Sequence, residues 1–178
     1  MKRYLTIWNV LGALVLLAGL LVYLASSPAR QSSVINLPAD VEEAAEPRKA
    51  RLRLYFAKPD ATGFLIENRE VTLEPGELVY QRALAEVVRG PAQGASPIVP
   101  EGAPVPTVYV RGKTAYVDLP EAYGRLGLGT TGETLLVYGL AYTVIDQGPV
   151  EEVRFLYRGE PATTLGHLSL LEPIRRSR

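Results

Sequence analysis

Hydrophobic and polar residues alternate over residues 51–57, which predicts a half-buried strand, because a period of two residues puts alternate side chains on one face of a sheet. The residues on the apolar face are Leu52, Leu54 and Phe56. A turn rich in Pro, Asp and Gly follows. Residues 64–66 and 69–73 then predict an interrupted return strand.

The period changes to that of a helix in two later segments. Residues 77–89 carry apolar side chains at helical spacing and end at Gly90-Pro91, a typical helix stop. Residues 133–145 are a second apolar segment, closed by Asp146-Gln-Gly-Pro149. We expect one helix in each.

Three further strands complete the pattern. Residues 107–111 and 114–119 are joined by the short turn Gly112-Lys113, and residues 150–157 form the last clear strand. The order strand, strand, helix, strand, strand, helix, strand predicts an α+β fold. We expect a small two-layer sandwich over residues 51–174, in which two helices cover one face of a mixed β-sheet.

The N-terminal region has the pattern of a membrane anchor. No charged side chain lies between Arg3 and Arg30, and the apolar residues 5–25 are long enough to cross a bilayer as a helix. Lys2 and Arg3 precede this run, so the positive-inside rule places residues 1–4 in the cytoplasm. We therefore expect a single-pass inner-membrane protein whose remaining residues are extracytoplasmic.

A cleaved signal peptide is the alternative, and Ala25-Ser-Ser27 supplies small residues suited to cleavage. The apolar run is longer than that of a typical signal peptide, which favours a retained anchor. Residues 26–50 are rich in Ser, Pro, Ala and Glu without a sustained period, and they predict a flexible linker.

Composition narrows the classes of function. Nineteen basic and nineteen acidic residues give no net charge, which argues against a nucleic-acid partner. The chain has no cysteine and one histidine, His167, so neither a disulfide framework nor a zinc site is expected. We predict no metal and no cofactor.

One motif fits a dinucleotide-binding pattern, G-x-G-x-x-G at residues 127–132. In such sites the strand runs straight into the first glycine, whereas residues 120–126 intervene here. We interpret the segment instead as a helix start, in which Thr130 is the N-cap and Glu133 completes a capping box. No dinucleotide is expected.

Catalytic motifs are equally weak. The sequence has no G-x-S-x-G, S-x-x-K or H-E-x-x-H pattern, and His167 lies in a C-terminal loop, where a surface role is the usual one. Asp118 and Glu121 are close in sequence, but the end of a strand and the start of a short helical turn account for them. We predict no catalytic residues and no enzyme activity.

Two irregular segments, residues 92–106 and 120–132, are the expected partner surface, because loops free of packing duty can be shaped for recognition. The side chains best suited to a polar-rimmed aromatic contact are Arg89, Glu101, Tyr123 and Arg125. We predict that Tyr123 is exposed. Tyr138 and Tyr142 are expected to be core residues whose aromatic edges reach water.

Several ordered blocks of the chain resemble the GerMN domain family of sporulation and spore germination proteins, over about residues 50–174. The blocks are Val87-Val-Arg-Gly-Pro91, Ser96-Pro-Ile-Val-Pro-Glu-Gly102, Val108-Tyr-Val-Arg-Gly-Lys-Thr-Ala-Tyr-Val-Asp-Leu119, Glu133 with Tyr142-Thr-Val144, Val150-Glu-Glu-Val-Arg-Phe-Leu-Tyr-Arg-Gly159 and Leu165-Gly-His-Leu-Ser-Leu-Leu-Glu-Pro173.

The resemblance implies an anchored extracytoplasmic bacterial domain of α/β sandwich fold, without known catalysis, that binds ligands or partners in the cell envelope. It implies an envelope protein or peptidoglycan as partner. One function is a binding or assembly module; the alternative is an accessory or regulator of cell-wall hydrolysis that binds peptidoglycan glycan directly. The chain has one copy where tandem members have two, and Pro120 stands where the family commonly has Ser.

Overall fold

The computed structural model describes residues 46–92 and 94–176, together with residues 14, 16 and 17. Almost all of the predicted anchor, residues 5–25, and most of the predicted linker therefore lie outside the described residues. Within the described part of the chain, no helix has the length and apolar character needed to cross a membrane.

The described residues form an α+β fold with two helices, as predicted. The helices are α1 (Val79–Arg89) and α2 (Gly129–Ile145), and a short 3-10 helix spans Glu121–Arg125. The strands are β1 (Arg48–Ala57), β2 (Phe64–Leu73), β3 (Thr107–Arg111), β4 (Thr114–Leu119), β5 (Glu152–Tyr157), β6 (Glu160–Pro161), β7 (Thr164–Leu165), β8 (Leu168–Ser169) and β9 (Ile174–Arg175).

Element order is predicted correctly and some element bounds are not. β1 begins three residues before the predicted domain start, and β2 is one continuous strand rather than an interrupted one. Its ten residues pair in unbroken antiparallel register with β1. This backbone pairing continues the strand through polar residues whose side chains show no strand pattern. The two-residue strands β6 to β9 are too short to leave a sequence period.

The structure contains a mixed sheet, as predicted, but β1 and β2 are not part of it. β1 and β2 form a hairpin sheet of their own, while β3, β4, β5 and β6 form a mixed sheet in which only β4 and β5 run parallel. β9 adds to β5 on the same sheet, and β7 and β8 form a small separate hairpin.

Side chains of α2 and of the turn after it, together with the backbone of Ser96, occupy the edge of β1 that does not pair with β2. This explains why β1 does not join the mixed sheet. The backbone N–H of Tyr55 donates to Thr143 Oγ1 of α2 at 3.1 Å, and the Gln147 side chain donates to the Arg53 carbonyl at 2.8 Å. Ala57 and Ser96 exchange backbone hydrogen bonds beyond them. Since buried backbone groups need partners, these contacts satisfy an edge that would otherwise accept another strand.

Both helices pack against β1, and α2 also packs against β5. The core joins apolar side chains from all of these elements. Its fully buried members include Leu52, Leu54, Phe56, Ala83, Leu84, Val87, Val117, Leu119, Leu136, Leu140, Val144 and Val153. Apolar residues on several sides of α2 are buried, as expected for a helix enclosed by other elements.

Candidate binding site

A pocket of about 230 Å³ lies where three segments meet: the residues after the 3-10 helix, the first turns of α2 and the β7–β8 hairpin. Its walls combine apolar side chains with one carboxylate and one imidazole. The lining residues are Tyr123, Gly124, Leu126, Gly127, Leu128, Glu133, Leu136, Leu165, Gly166 and His167.

The glycine motif shapes one wall of this pocket. Gly127 and Gly129 have φ of +60° and +66°, a left-handed conformation that glycine adopts without steric cost. The 3-10 helix separates β4 from Gly127, so the strand does not run straight into the glycines. The motif therefore turns the chain sharply into α2.

The predicted capping box is wrong. α2 begins at Gly129, its N-cap is Leu128, and no side chain makes a capping hydrogen bond there. Thr130 consequently lies inside the first turn, where its carbonyl accepts a hydrogen bond from Thr134 Oγ1 at 2.8 Å. Glu133 therefore makes no capping hydrogen bond at the start of α2.

Glu133 instead connects α2 to the β7–β8 hairpin. Its side chain is buried, and Oε2 accepts the backbone N–H of His167 at 2.7 Å. Oε1 lies 3.4 Å from His167 Nδ1. A Cβ added at Gly166 would come within 2.0 Å of Oε1, so the hairpin turn requires glycine to approach the carboxylate.

His167 is a largely exposed turn residue, as the sequence predicts. Its pairing with Glu133 is a feature of the pocket that sequence reasoning missed. The two residues are 34 positions apart, and no local period relates them. The only sequence signal is the glycine before His167, which permits the close approach.

The prediction that Tyr123 is exposed is wrong. Only 2% of its surface is accessible, and its hydroxyl donates to the Pro104 carbonyl at 3.0 Å. Burial raises the pKa of the Tyr123 hydroxyl well above its usual range. Tyr123 thus fastens the two predicted partner loops, residues 92–106 and 120–132, to each other, and its ring forms part of the pocket wall.

The other three predicted site residues lie on the surface in separate contacts. Arg89 pairs with Glu86 at 3.1 Å, and Arg125 pairs with Glu121 at 3.1 Å. Glu101 is exposed in a turn. Among residues 46–92 and 94–176, no hydrogen bond or ion pair joins these residues to one another or to Tyr123, and their binding role stays a prediction.

Glu86, another buried carboxylate in the described part of the chain, has arginine partners. Its side chain is 1% exposed and lies within 2.6 Å of Arg69 and 3.1 Å of Arg82, in addition to Arg89. Arginine pairs carboxylates well because its planar group donates several hydrogen bonds at once. This cluster joins β2 to α1.

Asp146, at the C-terminal end of α2, forms a second ionic cluster. Its carboxylate accepts hydrogen bonds from Tyr55, at 2.7 Å, and from Arg176, and Arg53 lies 3.5 Å away. Burial alone would raise the pKa of the Asp146 carboxyl. The hydrogen bonds from Arg176 and Tyr55 and the charge of the arginines outweigh burial and lower it.

Within the described ranges, no group of three or more His, Asp or Glu side chains is placed to hold a metal ion. The chemical groups of the pocket are one buried carboxylate, one exposed imidazole and several apolar side chains.

Comparison with known proteins identifies the fold. The model of the Germane family, described as sporulation and spore germination, matches residues 53–163. No curated protein matches the sequence significantly.

Solved structures agree with this assignment. The first GerMN domain of the sporulation protein GerM from Bacillus subtilis has a TM-score of 0.53 at 17% identity, over 70% of this chain and 93% of that one. The tandem GerMN domains of the same protein give 0.54 at 16%, over 71% and 45% of the two chains. A putative lipoprotein from Clostridium perfringens gives 0.49 at 19%, over 73% and 88%.

The two likenesses to GerM, at identities below 20%, establish the fold, and the family model covers more than half of the chain. The resemblance to the GerMN domain that the sequence blocks indicate is thereby confirmed. The chain belongs to the Germane family of sporulation and spore germination domains.

Proposed function

We propose that this chain is a non-catalytic binding or assembly module of the bacterial cell envelope. Residues 5–25 hold it in the inner membrane, and residues 51–174 present one Germane domain outside the cytoplasm. The domain acts by contacting an envelope protein at the pocket beside Glu133.

The observation that carries this proposal is the composition of the pocket. Apolar walls around a few fixed polar groups are typical of recognition sites. In the described lining, His167 has no Ser, Thr or Cys beside it that it could activate as a nucleophile. That arrangement favours binding over covalent catalysis.

Family membership supports the cellular setting. The matched family is one of sporulation and spore germination, and GerM of Bacillus subtilis, which carries tandem GerMN domains, is named as a sporulation protein. Membrane anchoring rests on the uncharged run between Arg3 and Arg30. We assign this chain an envelope role that it performs through its Germane domain.

In-cell photo-crosslinking tests the proposal. A photoreactive amino acid replaces His167 at the pocket rim of the full chain, and in a matched control it replaces Thr72, an exposed residue of β2. We expect one envelope protein to be captured from position 167 and not from position 72. Equal capture from both positions, or capture of cytoplasmic proteins, would contradict the proposal.

A second pocket favours a second candidate, direct recognition of peptidoglycan glycan by an accessory or regulator of cell-wall hydrolysis. This pocket, of about 300 Å³, is lined by hydroxyl groups and an aromatic ring, a combination suited to sugars. Its lining includes Thr62, Phe64, Thr130, Thr131 and Thr134.

Sedimentation of the full chain in detergent with purified peptidoglycan tests this candidate. If glycan is the ligand, the chain should co-sediment and the variant Thr131→Val with Thr134→Val should not. If neither protein co-sediments, this candidate fails and the protein-partner proposal stands.

A further inference from the structure

Buried carboxylates in the described part of this protein are paired with arginine, with one exception. Glu86 has three arginine partners and Asp146 has two. The side chain of Glu133 is only 9% exposed, and within residues 46–92 and 94–176 its one charged or chargeable neighbour is His167.

That neighbour is a weak counter-ion. The His167 side chain is 71% exposed, and its Nδ1 lies 3.4 Å from Oε1, a long hydrogen bond that carries charge only when the ring is protonated. Oε2 has the backbone N–H of His167 at 2.7 Å. A carboxylate accepts about four hydrogen bonds, so Glu133 retains acceptor capacity.

Glu133 is one of the residues that line the 230 Å³ pocket. Leu126, Leu128 and Leu165 line the same pocket. The volume is below the range of about 300 to 1,000 Å³ that is typical of sites for drug-sized ligands. A single side chain suits it better than a whole cofactor.

We propose that this pocket binds the basic side chain of a protein partner, whose ammonium or guanidinium group pairs with Glu133 while its hydrocarbon stem lies against the leucines. A buried carboxylate without a cation is costly, and an incoming cation offsets that cost. Lysine and arginine have this shape, a charged head on an apolar stem. The inference rests on the proposed function and specifies the partner's contact group.

Nuclear magnetic resonance of the full chain in detergent micelles, with labelled leucine methyl groups, tests this inference. The probes are N-acetyl-lysine methylamide and N-acetyl-arginine methylamide, each compared with a neutral analogue of similar length, N-acetyl-norleucine methylamide and N-acetyl-citrulline methylamide. We expect saturable shifts at Leu126, Leu128 and Leu165 with at least one basic probe, which binds roughly tenfold more tightly than its neutral analogue.

The variant Glu133→Gln keeps an acceptor for the His167 N–H and should abolish the preference for the basic probe. The matched control Glu74→Gln removes an exposed carboxylate that does not line the pocket and should leave the preference unchanged. The comparison of charged and neutral probes in the unchanged protein holds even if Glu133→Gln fails to fold.

Equal affinity for basic and neutral probes, or no saturable shift with either, would overturn the inference. Shifts produced by N-acetylglucosamine and not by the basic probes would also overturn it and indicate a sugar site. If the basic probes fail while His167 still captures an envelope protein, only this inference fails. If they bind while no partner is captured, the proposed function fails instead.

Discussion

Tyr123 shows how one residue can belong to the core although its neighbourhood in the sequence resembles a surface loop. It follows Pro120 and precedes a glycine-rich stretch, a context typical of exposed turns. The side chain nevertheless fills the space beneath two loops and bonds the Pro104 carbonyl. Proline and glycine thus indicate an irregular backbone without indicating where a side chain points.

Tyr123→Ala should therefore destabilise the protein by about 3 to 5 kcal/mol, as large-to-small core substitutions of aromatic residues do. Tyr123→Phe, which removes only the hydrogen bond to Pro104, should cost about 0.5 to 1.5 kcal/mol. Urea unfolding measures both. The matched control Tyr109→Ala, at a residue 55% exposed on β3, should have a small effect, and similar losses at both tyrosines would contradict the burial of Tyr123.

Asp146 makes stability depend on pH. Because its pKa is lowered in the folded protein, the ionised carboxylate contributes stability that is fully present above the ordinary value near 4. That stability is lost as the pH falls through the lower folded pKa. The free energy of unfolding, measured from pH 6 to pH 2, should therefore decrease on acidification.

Asp146→Asn should flatten this decrease, since the amide does not titrate. Glu101→Gln is the control, because Glu101 is exposed and its position in a turn offers no buried ion pair. If the free energy of unfolding of Asp146→Asn falls as steeply with acid as that of the unchanged protein, the Asp146 carboxylate does not make stability depend on pH.

Among the described residues, Glu133 supplies the hydrogen bonds between α2 and the β7–β8 hairpin, whose Leu165 also packs in the core. The hairpin turn is therefore the element to test. Gly166 has φ of +56°, and a side chain there would collide with Glu133. Gly166→Ala should cost about 1 to 3 kcal/mol of stability, a typical cost for a strained backbone position. It should also speed hydrogen exchange at the His167 amide.

Gly63→Ala provides the matched control, because the space around Gly63 is open and its φ is not positive. The stability of this variant and the hydrogen-exchange rate of its His167 amide should match those of the unchanged protein. Normal exchange protection in Gly166→Ala would show that the hairpin is held by other contacts.

Elements with a sustained period could be predicted from the sequence, and those defined by distant contacts could not. The alternation of Leu52, Leu54 and Phe56 gives β1, and the apolar segment ending at Ile145 gives α2. The sequence pattern misplaces the start of α2, because Thr130 and Glu133 fit a capping box. Glu133 instead bonds to His167, in a hairpin 34 residues later in the chain. The pocket could not be predicted for the same reason, because it forms only where residues 123–136 contact residues 165–167.

At the scale of the whole molecule, the described domain should fold by itself. Its core and both helices lie within residues 46–176, and β1 begins at Arg48. A fragment of residues 46–178 should give a circular dichroism spectrum of mixed helix and strand and one cooperative melt. A spectrum of a disordered chain would show that the earlier residues are needed.

The side of the membrane on which the Germane domain lies tests its proposed envelope role most directly. The chain has no cysteine, so an introduced cysteine is its only thiol. Thr72→Cys marks an exposed position of the domain, and Lys2→Cys marks the N-terminus. In intact spheroplasts, a membrane-impermeant maleimide should label Thr72→Cys at once and Lys2→Cys only after the membrane is permeabilised. Labelling of Thr72→Cys only after permeabilisation would place the domain in the cytoplasm and contradict the account.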